Sequence, residues 1–222
     1  MKNSFRLGLA GLLGVAMATP AAAQGYFSQP TGYQAGDILV HASLIGVIPE
    51  DFNSSVRVGG AVVPGEHVSV SAGISPELDG SYFFTPNWSV QVIAATTRHN
   101  VKVSGPLDAK VGSTWVLPPT VTLQYHLPEI DGIRPYAGVG LTVAFFYDQH
   151  AAAGITKFGG LSTGVGPALD AGFDVPISGN WFANADVKQI FIVTGTHVDN
   201  GVIGAHTELD PTVVGLGVGY LF

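Results

Sequence analysis

Serine, histidine and carboxylate side chains held close together can cleave esters: the serine attacks, the histidine takes its proton and the acid orients the histidine. His41 and Ser43 stand two apart, and Asp79 and His126 lie in other stretches with the same alternating pattern, so all four can share one side of a sheet. A lipid hydrolase is one chemistry they allow, although no strand-to-helix nucleophile elbow is expected to present the serine. A second set is charged. Asp186 and Lys188 are two apart, Asp170 and Asp174 belong to the preceding stretch, and Gln124 precedes His126 by two. Turned inward, these six would form a polar network, because a buried charge without a partner is costly. His99, His150, His197 and His206 are expected in loops near one rim. Imidazoles ligate transition metals, but none of the four has the close His-pair spacing of a metal motif. Gly138-Val-Gly140 and Gly215-Leu-Gly217 lie inside alternating stretches, where they read as packing glycines rather than a nucleotide loop. No metal or cofactor is expected.

The composition limits which scaffold can carry these groups. A chain of 222 residues suits one sizeable domain, yet only 11% are charged, against about 25% in ordinary soluble domains. Thirty glycines and 14 prolines argue against helical spans. Lys2 and Arg6 precede an apolar run from Leu7 to Ala18, and Ala21 to Ala23 supply small residues, the three parts of a signal peptide. Residues 1–23 are therefore expected to be cleaved, leaving residues 24–222 as the domain. The apolar run is shorter than the roughly 20 residues of a spanning helix. With no cysteine, disulfides, thiol catalysis and Cys-ligated zinc are excluded. The net charge is −7, and two of the nine Lys and Arg residues fall in the signal segment. Nucleic acid, whose phosphates require clustered cations, is not an expected partner.

Period-two alternation predicts eight strands: 37–48, 78–85, 88–97, 121–127, 134–146, 166–175, 181–193 and 212–222. The connections after the first, third, fifth and seventh are long, and those after the second, fourth and sixth are short. That asymmetry fits an all-β fold, an eight-stranded antiparallel transmembrane β-barrel with short periplasmic turns and long extracellular loops. Alternation by itself suits a soluble sandwich equally well. Composition separates the two: a mean hydropathy of +0.35 is awkward for a wetted surface, and Asp170, Asp174, Asp186 and Lys188 are awkward for an apolar core. A barrel reverses the faces and puts the charges in its lumen.

Tyr82-Phe-Phe-Thr-Pro-Asn-Trp88, Ala94-Ala-Thr-Thr-Arg-His99, Leu117-Pro-Pro-Thr-Val-Thr-Leu-Gln-Tyr-His126, Arg134-Pro-Tyr-Ala-Gly-Val-Gly140 and Asn184-Ala-Asp-Val-Lys188 occur in this order and end with Gly-Tyr-Leu-Phe222. In these segments the chain resembles the OmpW family of eight-stranded outer-membrane proteins. The resemblance implies a narrow barrel in the cell outer membrane that passes small, mainly hydrophobic molecules, some relatives being associated with alkane uptake, and that opens sideways through its wall. One departure is Val40-His-Ala42, where relatives often carry a basic residue. An eight-stranded lumen is just wide enough for side chains to fill, so an apolar solute is better served by a pocket among the loops and upper strands. Phe145, Phe146, Phe158, Leu161, Val202 and Ile203 are the expected lining of such a vestibule. For Phe145 and Phe158 the alternative is the aromatic girdle at the outer interface. A structural or receptor-like barrel that binds an outside partner through its loops is the competing function. Expected partners are outer-membrane lipid and lipopolysaccharide, a small hydrophobic solute and the outer-membrane assembly machinery, for which Tyr220 and the terminal Phe222 resemble the recognition signal.

Overall fold

The computed structural model describes residues 32–58, 61–62, 65, 67–104, 109–152, 158–198 and 203–222; the expected signal segment lies outside them. Among the described residues the strands are, in order, β1 (Ile38–Ile48), β2 (Asp51–Val58), β3 (Ala61–Val62), β4 (His67–Val70), β5 (Gly73–Phe83), β6 (Trp88–Ala95), β7 (Thr97–Ser104) and β8 (Ala109–Leu117). There follow β9 (Thr120–His126), β10 (Arg134–Ala151), β11 (Phe158–Leu161), β12 (Gly164–Ser178), β13 (Trp181–Ile190), β14 (Ile192–Val198), β15 (Ile203–Leu209) and β16 (Thr212–Leu221). None of the described residues forms a helix long and apolar enough to cross a membrane.

Eight strands make a closed wall. Antiparallel pairing runs from β1 through β5, β6, β9, β10, β12 and β13 to β16. β16 then returns to β1, with Leu39 to Ile48 opposite Leu221 to Thr212. Closure gives every wall strand a partner on both sides, the condition a sheet must meet in lipid. The turns at one end are short. Phe84 N–H donates to the Trp88 carbonyl and Trp88 N–H to Thr85 Oγ1, while Asp131, Gly132 and Gly179 take positive φ angles of 51°, 79° and 54°.

The faces are inverted relative to a soluble protein. Leu44, Leu141 and Leu216 are 62%, 64% and 67% exposed, whereas Thr122, Gln124, His126, Asp174 and Lys188 are buried. Large apolar groups turned outward gain by meeting hydrocarbon, and polar groups turned inward find partners across the lumen. Glycine makes the lumen possible: a Cβ on Gly217 would strike Ser43 Oγ and the Ala42 carbonyl, and one on Gly219 would strike the His41 ring.

At the other end the long connections carry strands of their own. β7 and β8 form a hairpin joined by β4 and the outer part of β10. β14 and β15 form another, joined by β2 and β11. Extending the ladder satisfies backbone N–H and C=O groups beyond the membrane. The strand expected over 181–193 is accordingly split at Phe191 into β13 and β14.

Candidate functional site

Inward positions along the wall strands form layers. From the short-turn end, β1 contributes Leu39, His41, Ser43, Ile45 and Val47, and β13 contributes Phe182, Asn184, Asp186, Lys188 and Ile190. Each series is apolar, then polar, then apolar again.

The inner layer is an aromatic stopper. Tyr33, which precedes β1, stacks on Phe83 with ring centroids 4.3 Å apart, and lies in one apolar cluster with Leu39, Phe182 and Leu221. The Arg134 guanidinium sits 5.1 Å from the Tyr33 ring and 5.2 Å from that of Phe182, and Arg134 Nε donates to Glu129 Oε2 at 3.0 Å. Tyr33 O–H donates to Asp174 Oδ2 at 2.8 Å, tying the stopper to the layer above.

That layer is a dense polar network. His41 meets Asp79 Oδ1 through Nδ1 at 2.9 Å and Asp174 Oδ1 through Nε2 at 3.0 Å; two carboxylate acceptors match an imidazolium, which donates from both nitrogens. Asn184 donates to Asp174 Oδ1 and to the Tyr136 hydroxyl, Gln91 donates to Asp79 Oδ1, and Gln124 donates to Asp170 Oδ2. Above this, Lys188 Nζ donates to Glu77 Oε1 at 2.7 Å and to Asp186 Oδ2. The six residues expected to form a network all face the lumen: Asp174, Asp170, Gln124 and His126 are linked through His41, Asp79, Gln91 and Ser89, while Asp186 pairs with Lys188. His126 Nε2 bonds Ser89 Oγ at 3.0 Å.

The third layer is an apolar chamber of about 80 Å³. Its floor is Glu77 and Lys188, and its walls include Ile45, Val47, Ile93, Ala95, Val116, Phe146, Ile190, Ile192 and Val213. One wall is incomplete. β5 and β6 stay in register from Phe83 with Ser89 only as far as Glu77 with Ala95, and paired strands resume with Val70 of β4 opposite Val101 of β7. Pro76, at the end of that register, has no N–H to donate. The interval is laced otherwise: Ser71 N–H donates to the Asn100 carbonyl at 3.0 Å, Ser75 Oγ donates to the Thr96 carbonyl, and His99 reaches the Ser71 carbonyl through Nδ1 and Thr97 Oγ1 through Nε2, both at 2.7 Å.

Of the expected vestibule, Phe146 lines this chamber. Phe145 does not, because adjacent strand residues face opposite ways; it is 46% exposed on the outer face, on the girdle side with Tyr147 and Trp115, whose rings stack. Phe158 and Leu161 end β11 and Ile203 begins β15, but their side chains, and Val202 entirely, lie outside the described residues. Tyr220 packs edge-on against Trp181 and Phe222 at the short-turn end. Glu77 was not anticipated, since the second strand was expected to begin one residue later, and Tyr33 lies in a stretch without alternation. The apolar wall was readable as the apolar ends of the inward series.

The hydrolase constellation does not assemble. Ser43 Oγ has no hydrogen-bond partner, and both nitrogens of His41 are held by carboxylates. Ser89 does meet His126, but His126 Nδ1 has no partner to orient it. Gly160-Leu-Ser-Thr-Gly164 has the spacing of a nucleophile elbow, yet it joins the strands β11 and β12 and no helix follows. His99 is buried within the wall interval, His150 pairs with exposed Asp148, and His197 and His206 lie on β14 and β15 with side chains outside the described residues.

A closed antiparallel wall with apolar residues outward and charges inside defines a transmembrane β-barrel of the outer-membrane kind. The chain belongs to the OmpW family, whose model matches residues 34–222. It is similar to an uncharacterized outer-membrane protein, y4mB, of Sinorhizobium fredii, with 40% identity covering 80% of this chain and 76% of the relative. It is also similar to outer membrane protein W of Vibrio cholerae, with 31% identity covering 86% and 90%. The crystal structure of OprG from Pseudomonas aeruginosa matches with a TM-score of 0.80 at 28% identity, covering 86% of this chain and 98% of that one. The protein is therefore an outer-membrane barrel.

Proposed function

We propose that the barrel is a non-enzymatic channel for passive uptake of small hydrophobic molecules, which it releases sideways into the membrane. The observation that carries this reading is the division of the lumen into an apolar outer chamber above a blocked inner half. A solute in the chamber gains by leaving water, at roughly 25 cal/mol per Å² of apolar surface, and meets ion pairs and an aromatic stopper if it continues inward. The interval between Glu77–Ala95 and Val70–Val101 lies beside the chamber and is the proposed way out to lipid, where an apolar solute is stable. Proline is confined to sheet edges and irregularities, so Pro76 supports reading this stretch as a local edge.

The test compares uptake of a small hydrocarbon with that of a charged control by cells carrying the native chain or Phe146→Asp, with equal amounts of folded barrel confirmed in the outer membrane. Hydrocarbon uptake is expected to fall several-fold in the variant, the charged control being excluded by both. Unchanged hydrocarbon uptake rejects the reading.

A further inference from the structure

We infer that the solute best accommodated by the chamber is an uncharged apolar chain bearing one hydroxyl group, in preference to a bare hydrocarbon or a carboxylate. This rests on the chamber being the solute site. Its walls are mostly apolar, and the polar groups among them, Thr97, His99, Thr114 and Thr120, already have partners, but its floor is charged. An ammonium group has three N–H donors, and Lys188 spends one on Glu77 Oε1 and one on Asp186 Oδ2. Asp186 Oδ1 is also without a bond, but Asp186 does not line the cavity. Among the described residues the third N–H of Lys188 has no partner, and neither does the second carboxylate oxygen of Glu77. Both side chains line the cavity. The hydroxyls of Thr120 and Thr142, nearby, are occupied with each other at 2.7 Å.

One open donor beside one open acceptor is the complement of a hydroxyl, which donates once and accepts at its lone pairs. A hydrocarbon leaves both groups unmet. A ketone can accept from Lys188 but gives Glu77 nothing. A carboxylate brings a negative charge toward Glu77 and Asp186, which already share the single cation, and a solute ammonium would meet Lys188. An alcohol keeps its tail against Ile45, Ile93 and Ile190 and satisfies both floor groups without adding charge.

The experiment uses the full mature chain in lipid nanodiscs, with isoleucine δ-methyl groups labelled for NMR. 1-Octanol, octane, 2-octanone and octanoate are titrated at matched mole fractions in the lipid. The methyl signals of Ile45, Ile93, Ile190 and Ile192 are expected to shift saturably, with half-saturation by octanol at about a tenth of the octane value, the scale of a hydrogen bond to a charged group. Octanoate is expected to bind more weakly than octanol. In Glu77→Gln the carboxamide nitrogen offers a donor in place of the open acceptor, so the preference for octanol over 2-octanone is expected to fall several-fold. Equal half-saturation by octanol and octane in the unaltered chain overturns the inference, as does tighter binding of octanoate or an undiminished octanol preference in folded Glu77→Gln. If that variant does not fold, the ranking in the unaltered chain decides. Absence of shifts with all four probes overturns the chamber as solute site, and with it this inference.

Discussion

Tyr33 helps close the inner end of the lumen with Phe83 and Phe182, because it fills the opening with a ring and anchors it to Asp174. Tyr33→Ala removes both, and in planar bilayers it is expected to show ion-conductance steps well above those of the native barrel; equal traces would show that the polar layer alone makes the seal. Lys188 is the shared cation of two buried carboxylates. Lys188→Met leaves both unpaired, which costs about 3–5 kcal/mol for a broken buried pair and is measurable by urea unfolding in lipid vesicles. His99 lies outside the spanning strands. Burial pushes its imidazole below the ordinary 6.5, and the hydrogen bond to the Ser71 carbonyl partly opposes this. A group held neutral in the fold binds protons more readily when released, so its contribution is complete above about pH 6.5 and declines as the pH falls below that. Protection of the Asn100 amide, corrected for intrinsic exchange, is expected to weaken below pH 6.5 in the native chain and to lose that dependence in His99→Gln.

At the scale of elements, close strand contact is set by small inward side chains. A Cβ on Gly140 would run into the Val121 carbonyl and Thr122, whereas one on Gly46 meets nothing within 4 Å. Gly140→Val is therefore expected to lower the folded fraction, read as the heat-modifiable band on gels, and Gly46→Val to leave it unchanged. The eight wall strands were legible because each has a lipid side and a lumen side, and alternation records that difference. The outer hairpins were not: water reaches their exposed parts, so Thr97-Arg-His-Asn-Val-Lys-Val103 carries no consistent apolar face and reads as loop. The same blur moved the start of β5 past Glu77 and hid a floor residue of the chamber.

The whole molecule is a blind tube with a side interval, and its two ends have different tasks. Closure joins β16 to β1 along their full length, so the terminal strand must be delivered in register for any wall to form. Tyr220 and Phe222 project to the outside of that seam, Phe222 being 70% exposed, which suits recognition by the assembly machinery before closure. Deleting Phe222 is expected to reduce the amount of barrel inserted in the outer membrane; normal membrane yield would refute that role.

By itself the sequence determined the all-β class, the number of wall strands, the alternation of a lipid face with a lumen face along them and the presence of lumenal charges, because these follow from period, composition and the cost of burying polar groups in lipid. It put Phe145 and Phe146 together in the expected vestibule, and only the structure showed that Phe146 turns inward to line the chamber while Phe145 faces out. Only the tertiary structure decided that Asp174 answers to Tyr33 and His41, that Lys188 pairs with Glu77 111 positions away, and that the ladder lapses beside Pro76. Those are relations between strands distant in the chain, set by how the sheet closes, and a one-dimensional pattern carries no record of which inward residues meet across the lumen.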